Sequence, residues 1–313
     1  MTRLEVDVVV VGGGPSGLAA ASWLGRYRRS VVVLDSQEYR AAKVERSHGY
    51  LGRDPQVPLD LLATGREEVL AYPTVEMRQR PASTVVRRDD GRFDVDDDLI
   101  AYRLVLACGV KDAFPAVAGF DEHYGASVFH CPSCDGYEAR DRHLIALGWD
   151  PHLVGFAETL KNWAASVTVV TNGVRFQGDE SCRAELAEHD IDLLERDVVR
   201  FLGSRGDLTG VELDGGEVLE ASMVLFSVAH RPRTELAEAL GCEIDEDGHV
   251  AVNSKGLTSV PGVYAAGDLT PGLQLVSVAA ASGVVAGVAC AHSFFGTQGA
   301  PTSPEPAPAT GQH

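Results

Sequence analysis

The feature that most constrains the fold is a glycine-rich turn between a short apolar run and a helical stretch. Val6–Val11 predicts a buried strand that leads into the turn Gly12–Gly17, of sequence GGGPSG. Leu18–Tyr27 is predicted to be a helix, and Val31–Leu34 a second strand that ends at Asp35. This order predicts a strand–turn–helix–strand unit of the kind that builds a parallel sheet.

The spacing of the glycines predicts a dinucleotide site. Gly12 permits the tight turn, Gly14 lets the backbone approach a pyrophosphate, and Gly17 lets the helix pack on the strand. Pro15 and Ser16 complete the turn, and the N-terminus of the helix that follows faces the phosphates. A glycine turn of this spacing can also be purely structural, so the residues around it decide between the two interpretations.

An acidic residue at the end of the second strand favours the dinucleotide site. Asp35 lies eighteen positions after Gly17, where a carboxylate binds a ribose hydroxyl. A carboxylate at this place, rather than a basic side chain, favours FAD or NAD over a nucleotide that carries a 2′-phosphate. Strand, helix and acid together therefore predict that the first part of the chain binds FAD or NAD.

The same pattern restarts in the middle of the chain. Leu144–Leu147 predicts a buried strand, His152–Trp163 a helix, and Val167–Val170 a further strand. Near the end, Val263–Ala266 predicts a strand, and Val276–Cys290 a helix. This last pair is too small to stand alone, so we expect it to return to the first domain.

The predicted fold class is therefore α/β, with two Rossmann-like nucleotide-binding domains, the second inserted into the first. We expect the inserted domain to carry the second strand–helix–strand unit. The last residues are rich in Pro, Thr and Ala, which is typical of disorder. The predicted ranges are 1–113 and 246–296 for the first domain, 114–245 for the insertion, and 297–313 for the tail.

Two of the six cysteines, Cys131 and Cys134, have the spacing C-x-x-C. In an α/β chain this spacing indicates a thiol–disulfide redox pair or half of a zinc site. Zinc needs two further ligands at a useful spacing, and the sequence has no second CxxC, CxxH or HxxxH motif. We therefore predict a redox pair and no metal. Asp135 follows directly and could act as a general acid/base, or it could serve only to form the turn at Gly136.

The charge of the chain excludes some kinds of partner. It has 27 Lys and Arg residues and 45 Asp and Glu residues, a net charge of −18. Nucleic acid and anionic membranes both bind basic surfaces, so we expect neither as a partner. No apolar run approaches the ~18–20 residues that span a bilayer, and the N-terminal residues lack the apolar stretch of a signal peptide. These features predict a cytoplasmic protein.

Taken together, the motifs resemble those of the low-molecular-weight thioredoxin reductase family. The resemblance spans about residues 4–296 and implies FAD as the cofactor and a homodimer. It also implies a small dithiol or disulfide, or a thioredoxin-like protein, as the substrate. The motifs that carry it are Gly12–Gly17 with Asp35, Ala107–Gly109, Cys131–Gly136 and Gly262–Asp268.

The resemblance also implies roles for individual residues. Cys134 would face the flavin, and Cys131 would exchange with the substrate, assisted by Asp135. Asp268 would hold the ribityl–phosphate region of FAD. The residues implied to bind FAD are Gly12, Gly14, Pro15, Ser16, Gly17, Asp35, Ala107, Gly109, Gly267, Asp268, Val276 and Ser277.

The chain departs from this family at its second glycine motif. The turn Gly148–Leu153 keeps only its first glycine, and Asp150 stands where the backbone would approach the pyrophosphate of NADPH. Leu153 replaces a small residue at the helix–strand contact. The basic cluster that binds the 2′-phosphate is also absent and leaves Arg175 alone. We therefore predict that NADPH is not the normal reductant.

Two branches of the family remain open. His48–Asp54 resembles the gliotoxin- and holomycin-type dithiol oxidases, which pass electrons from FAD to oxygen. Those enzymes carry His after the second cysteine, whereas this chain has Asp135, as the reductases do. The other branch comprises reductases that do not use pyridine nucleotides, including those fed by ferredoxin. Because ferredoxins are acidic, the net charge of −18 favours the oxidase. A conventional NADPH-dependent thioredoxin reductase and a non-catalytic FAD-binding sensor are the alternatives.

Overall fold

The computed structural model describes residues 3–227 and 230–295, so the predicted tail lies outside the described residues. The chain divides into two compact units. Of the described residues, the first unit comprises 3–40, 59–111 and 231–295, and the second comprises 41–58, 112–227 and residue 230. Nothing in the described part is a helix long and apolar enough to cross a membrane.

The elements are numbered along the described chain. The strands are β1 (Leu4–Val11), β2 (Val31–Leu34), β3 (Val75–Arg78), β4 (Val85–Arg87), β5 (Phe93–Val95), β6 (Leu99–Leu106), β7 (Val110–Asp112), β8 (Val128–Phe129), β9 (His143–Leu147), β10 (Ser166–Val170), β11 (Asp192–Leu194), β12 (Val198–Ser204), β13 (Asp207–Leu213), β14 (Val218–Glu220), β15 (Met223–Phe226), β16 (His230–Pro232) and β17 (Val263–Ala265). The helices are α1 (Pro15–Arg26), α2 (Pro58–Leu70), α3 (Phe120–His123), α4 (Pro132–Asp135), α5 (Leu153–Leu160), α6 (Glu180–Glu188), α7 (Glu235–Ala239) and α8 (Val276–His292). Two 3₁₀ helices lie at Gly136–Ala139 and Gly267–Leu269.

The first unit is built on a seven-stranded sheet in the order β3-β2-β1-β6-β5-β4, in which β17 also pairs with β6. Strands β1, β2, β3, β6 and β17 are parallel, whereas β4 and β5 are antiparallel additions. All of β2 and residues 6–11 of β1 are buried. Parallel strands covered on both faces are apolar along their whole length, which explains the continuous valine runs of the sequence.

The second unit is built on a parallel five-stranded sheet in the order β11-β10-β9-β15-β8. Helix α5 connects β9 to β10, so this is the second strand–helix–strand unit that the sequence predicts. A separate antiparallel sheet in the order β12-β13-β14 belongs to the same unit. The α/β fold class with two Rossmann-like units, the second inserted into the first, is confirmed.

The boundaries of the two units differ from the predicted domain ranges. The segment Ala41–Pro58 lies in the second unit, whereas the sequence predicts it in the first domain. Arg205 explains this placement: it donates to the carbonyl oxygen of Lys43 at 2.8 Å and pairs with Glu45 at 2.7 Å. The backbone N–H of Glu45 also donates to the carbonyl oxygen of Gly125 at 2.9 Å. Residues 231–245, predicted as the end of the insertion, belong to the first unit.

Candidate functional site

The glycine-rich turn of the first unit is tight at two positions and open at the third. A Cβ atom on Gly12, whose φ is +115°, would lie 2.2 Å from the carbonyl oxygen of Ala107. A Cβ on Gly17 would lie 1.8 Å from the carbonyl oxygen of Gly12. A Cβ on Gly14 would meet no heavy atom of the described residues within 4 Å, its chain neighbours aside. The turn therefore needs its first and third glycines for packing, and the second leaves open space.

Two helix N-termini of the first unit point in the same direction. Gly283 of α8 packs on Ser16 of α1, and Gly287 packs on Ala20, so the two helices run parallel. Neither helix has a side-chain cap or an acidic residue in its first turn. The N-terminal N–H groups of a helix carry a partial positive charge and bind anions. Both helix ends can therefore donate to a ligand.

Asp35 is held at the end of β2, next to the glycine turn. Its side chain is buried and accepts hydrogen bonds from the backbone N–H of Gln37, at 2.9 Å, and from the Tyr39 hydroxyl. The Arg66 guanidinium lies 3.4 Å from the same carboxylate. A Cβ on Gly13 would lie 2.2 Å from the Asp35 carboxyl carbon, which shows how close the turn and the acid are.

The loop after β17 completes this part of the first unit. Gly267 has a φ of +77°, and a Cβ there would lie 2.5 Å from the Ser16 hydroxyl oxygen. Its N–H donates to the Ser282 hydroxyl at 2.8 Å. Asp268 pairs with Arg40 at 3.0 Å. The structure thus brings Gly267 and the N-terminal turn of α1 into contact.

Two further predicted residues lie where β6 ends. The N–H of Ala107 donates to the carbonyl oxygen of Val11 at 2.8 Å, so Ala107 is fixed beside the end of β1. Gly109 has a φ of +67°, and its carbonyl oxygen accepts from the N–H of Arg233 at 3.0 Å. Val276 and Ser277 form the first turn of α8.

Sequence reasoning missed three residues around this site. Tyr39 and Arg66 hold the carboxylate of Asp35, and Arg40 pairs with Asp268. The apolar spacing of PLDLLATGREEVL could have indicated helix α2, which carries Arg66. No local pattern marks Arg40, because Asp268 lies 228 positions away.

These residues fit FAD. The open space at Gly14 and the uncapped helix ends suit a pyrophosphate, and the buried carboxylate at the end of β2 suits a ribose. The Arg66 guanidinium lies within ion-pair distance of Asp35, so its positive charge is already paired with this carboxylate.

The cysteine pair of the second unit forms a disulfide, with the two Cα atoms 5.2 Å apart. Cys131 caps the short helix α4, and its Sγ accepts from the N–H of Cys134 at 3.1 Å. Both residues are partly exposed. Within the described residues, no group of three His, Cys, Asp or Glu side chains is arranged to hold a metal ion.

Asp135 is buried directly after the disulfide. Only 8% of the residue is exposed. Burial, the larger cause, and the negative charge of Glu138 together raise the pKa of this carboxyl to about 8. The next residue, Gly136, has no room for a side chain, because a Cβ atom there would lie 2.6 Å from the Trp163 ring. A carboxyl with a pKa near neutrality can exchange a proton with a thiol.

The second glycine turn is closed by its own residues. The Asp150 carboxylate accepts from the N–H of His152 at 2.8 Å. The Asp150 carbonyl oxygen accepts from the N–H of Leu153 at 3.1 Å, and that of Pro151 from the N–H of Val154 at 3.3 Å. A Cβ on Gly148 would lie 3.1 Å from Leu153 Cδ1. The N–H groups at the start of α5 are therefore bonded within the turn, and a carboxylate lies beside them.

The basic residues near this turn are few. Arg175, after β10, is exposed. Arg183, on α6, pairs with Glu195 at 2.8 Å, and this pairing is the main cause of the lowered pKa of Glu195. Between β10 and α6, at residues 171–179, Arg175 is the one basic residue.

Comparisons with known proteins agree with this geometry. Residues 6–283 match the model of the family described as pyridine nucleotide-disulphide oxidoreductase. The thioredoxin reductase aclD of Aspergillus oryzae is 31% identical over 304 residues, which cover 90% of this chain and 94% of that protein. The thioredoxin reductase tcpT of Claviceps purpurea is 31% identical, with 90% of this chain and 92% of that protein covered.

Solved structures give the same result. The crystal structure of HlmI has a TM-score of 0.87 and 36% identity, and the match covers 93% of each chain. A structure from Bacillus anthracis named as a candidate thioredoxin reductase, TrxB, has a TM-score of 0.85 and 29% identity, with 92% of this chain and 98% of that chain covered. The chain therefore belongs to the pyridine nucleotide-disulphide oxidoreductase family, as an FAD-dependent disulfide oxidoreductase similar to low-molecular-weight thioredoxin reductases.

Proposed function

We propose that this enzyme is a thiol–disulfide oxidoreductase that acts on a small dithiol or disulfide through Cys131 and Cys134 and does not take electrons from NADPH. The observation that carries the proposal is the turn at Asp150. Its carboxylate is bonded to the N–H of His152, at the helix end where a pyrophosphate would bind. A carboxylate that faces a pyrophosphate makes the binding free energy less favourable by several kcal/mol. Each ~1.4 kcal/mol weakens the affinity for the nucleotide by a factor of ten.

The first unit supplies the cofactor site in this proposal. We assign the pyrophosphate of FAD to the N–H groups that follow Gly14 and the adenosine ribose to Asp35. Asp268 would hold the ribityl–phosphate region, and Val276 and Ser277 would donate N–H groups to the ring. FAD, when bound, accepts two electrons from a dithiol and passes them to an acceptor.

The second unit supplies the thiol chemistry. In the oxidase direction, a substrate thiolate attacks Cys131, forms a mixed disulfide and releases the Cys134 thiolate. The second substrate thiol then loses its proton, and its thiolate attacks the substrate sulfur that is bonded to Cys131. The substrate disulfide forms, and Cys131 leaves as a thiolate. The substrate then carries the disulfide, and the two cysteines hold its two electrons. We assign to Asp135 the role of accepting and returning a proton, and its pKa of about 8 supports this role.

Oxygen is the acceptor that we propose for these electrons. The overall reaction is then dithiol plus O₂ giving disulfide plus hydrogen peroxide, which balances two electrons and two protons. The net charge of −18 supports this choice over an acidic ferredoxin, because like charges repel. Thioredoxin-like proteins stay candidate substrates, because the relatives are called thioredoxin reductases.

The test is an anaerobic spectrum of the yellow holoenzyme. We expect dithiothreitol to bleach the flavin and micromolar NADPH to leave it unchanged. Readmission of air should restore the colour quickly, with one peroxide formed per flavin. Bleaching by micromolar NADPH would show a conventional thioredoxin reductase instead. Slow recolouring in air would indicate a reductase that awaits another donor.

A matched pair of variants separates the cysteine chemistry from general damage. Cys134→Ser should abolish bleaching by dithiothreitol and retain bound FAD. Cys182→Ser changes a half-buried free cysteine on α6 of the same unit, and it should behave like the parent enzyme. Equal loss in both variants would contradict the assignment of the redox pair.

A further inference from the structure

The surface of the first unit has a depression at the C-terminal end of α1. Trp23, Arg26 and Tyr27 lie on one face of this helix, since they are three and four positions apart. Tyr72 lies beside them, two residues after the end of α2. These four residues line a cavity of about 380 Å³ that is open to solvent. We call this cavity the aromatic depression, because three of its four side chains are aromatic rings.

Contacts within the first unit hold the lining of the aromatic depression in place. A Cβ atom on Gly25 would lie 2.8 Å from the Tyr72 ring, so α1 packs directly on this ring. The Arg26 guanidinium lies 5.5 Å from the centroid of the Trp23 ring and donates to the Tyr72 hydroxyl at 3.4 Å. The three rings are half-buried. The lining is therefore formed before any ligand binds.

Arg26 gives the aromatic depression a positive charge. Its side chain is exposed, and it pairs with no carboxylate in residues 3–227 and 230–295. The other three lining residues carry no charge near neutral pH. Aromatic rings bind apolar groups, and a guanidinium binds a carboxylate. A ligand with an apolar body and one negative charge therefore fits this lining.

The described chain ends beside the aromatic depression. The ring of Phe295, the last described residue, has its centroid 6.2 Å from that of Tyr27 and 5.2 Å from that of His292. The Tyr27 hydroxyl lies 2.9 Å from His292 Nε2, so the ends of α1 and α8 are joined. Residues 296–300 separate Phe295 from Pro301, and five residues reach at most ~18 Å. The sequence from Pro301 onward is thus within reach of the depression.

That sequence has the composition of a ligand for an aromatic groove. Residues 301–308 read PTSPEPAP. The spacing PxxP of Pro301 and Pro304 places both rings on one face of a polyproline helix, which has three residues per turn. Grooves lined by aromatic rings bind such segments, because they lose little conformational entropy on binding. Glu305 is the one acidic residue of 296–313, which contains no Lys or Arg. The segment therefore supplies the apolar body and the single negative charge.

We infer that residues 301–308 of this chain bind the aromatic depression, with proline rings on Trp23 and Tyr27 and with the Glu305 carboxylate on Arg26. The depression lies at the opposite end of α1 from the glycine turn, about 18 Å away along a helix of twelve residues. The bound segment ties the end of α8 to α1 and leaves the cofactor site open. This inference does not depend on the proposed function.

The test uses the holoenzyme truncated after Ala300 and a fluorescein-labelled peptide of residues 299–310, whose anisotropy reports binding. We expect the peptide to bind the truncated enzyme. Its affinity for the full-length enzyme should be about tenfold lower or less, because the tethered segment competes at a high effective concentration. A peptide with Pro301→Ala and Pro304→Ala should not bind either protein.

Substitutions on both sides test the placement of the segment. Arg26→Gln in the truncated enzyme should weaken binding about two- to fivefold, as expected of an exposed ion pair. Glu305→Gln in the peptide should have the same effect, and the two changes together should cost no more than either alone. Trp23→Leu should abolish binding. Arg231→Gln changes an exposed arginine on β16 of the same unit and should leave the affinity unchanged.

Three results would overturn the inference. The first is no binding to the truncated enzyme, or equal binding to the truncated and full-length enzymes. The second is an affinity that Arg26→Gln and Trp23→Leu leave unchanged. The third concerns a second copy of the chain as the occupant: sedimentation would show that Arg26→Gln dissociates an assembly that truncation leaves intact. If Trp23→Leu does not fold, Arg26→Gln and the peptide variants decide, since Arg26 is exposed.

Discussion

The carboxylate of Asp150 accepts a hydrogen bond from the N–H of His152 at 2.8 Å, directly before helix α5. In a nucleotide-binding turn this N–H group would face a phosphate. Here a side chain of the protein itself occupies the donor. The turn therefore stabilises the start of its own helix.

We expect Asp150→Ala to destabilise the protein by about 1 kcal/mol, because it removes a hydrogen bond at a helix N-terminus. The variant should still not use NADPH, since Leu153 and the lack of a basic cluster remain. Urea unfolding measures the first effect, and the anaerobic flavin spectrum measures the second. If this single change gave bleaching by micromolar NADPH, the argument from the turn as a whole would be wrong.

Much of the fold could be predicted from the sequence because its strands are covered on both faces. The valine runs of β1 and β2 and the helix α1 were predicted with boundaries within a few residues of those observed. The sequence also predicts the strand before α8, at Val263–Ala266, and the helix itself, at Val276–Cys290; the observed bounds are Val263–Ala265 and Val276–His292. Each of these elements has a local signal, either an apolar run or a glycine at its end.

The placement of Ala41–Pro58 could not be predicted, because it depends on contacts distant in sequence. Arg205 pairs with Glu45 across 160 positions, and neither residue belongs to a motif. The same limitation applies to the site. The sequence marks Asp150 because it is an acidic residue in a glycine-type turn. Only the structure shows the hydrogen bond from the N–H of His152 to its carboxylate. The role of Glu138 in raising the pKa of Asp135 likewise depends on burial.

Gly283→Ala should loosen the cofactor unit. The new Cβ would lie 2.1 Å from the carbonyl oxygen of Ser16, so α8 must move away from α1. Overpacking of this kind costs about 1–3 kcal/mol, and we expect both a lower melting temperature and a lower flavin content of the purified protein. Absorbance ratios of flavin to protein measure the second effect.

A matched glycine provides the control for that prediction. Gly155 lies inside α5, and a Cβ there would meet no described atom within 4 Å, the helix backbone aside. Gly155→Ala should raise stability by about 0.5–1 kcal/mol, because alanine favours the helix. Equal destabilisation by both substitutions would show that crowding between α1 and α8 is not the cause.

Asp135 should make the stability of the oxidised enzyme depend on pH. Its pKa is raised from 3.8 to about 8 by burial and by Glu138, so the folded state holds a proton that the unfolded chain releases. The stabilising contribution is complete below the unfolded value and is lost as pH rises through the folded value. The loss therefore falls between about pH 4 and pH 8, in the opposite direction to that of an ion-paired carboxylate.

Asp135→Asn should remove this dependence, because an amide does not ionise in this range. The difference in unfolding free energy between parent and variant should change by a few kcal/mol from pH 5 to pH 8.5, in favour of the variant at the higher pH, at ~1.4 kcal/mol for each unit of pKa shift. Urea unfolding at both pH values, with the disulfide intact, measures it. A difference that stays constant with pH would mean that Asp135 is already ionised at pH 5. It could not then serve as the proton donor that the redox pair requires near neutrality.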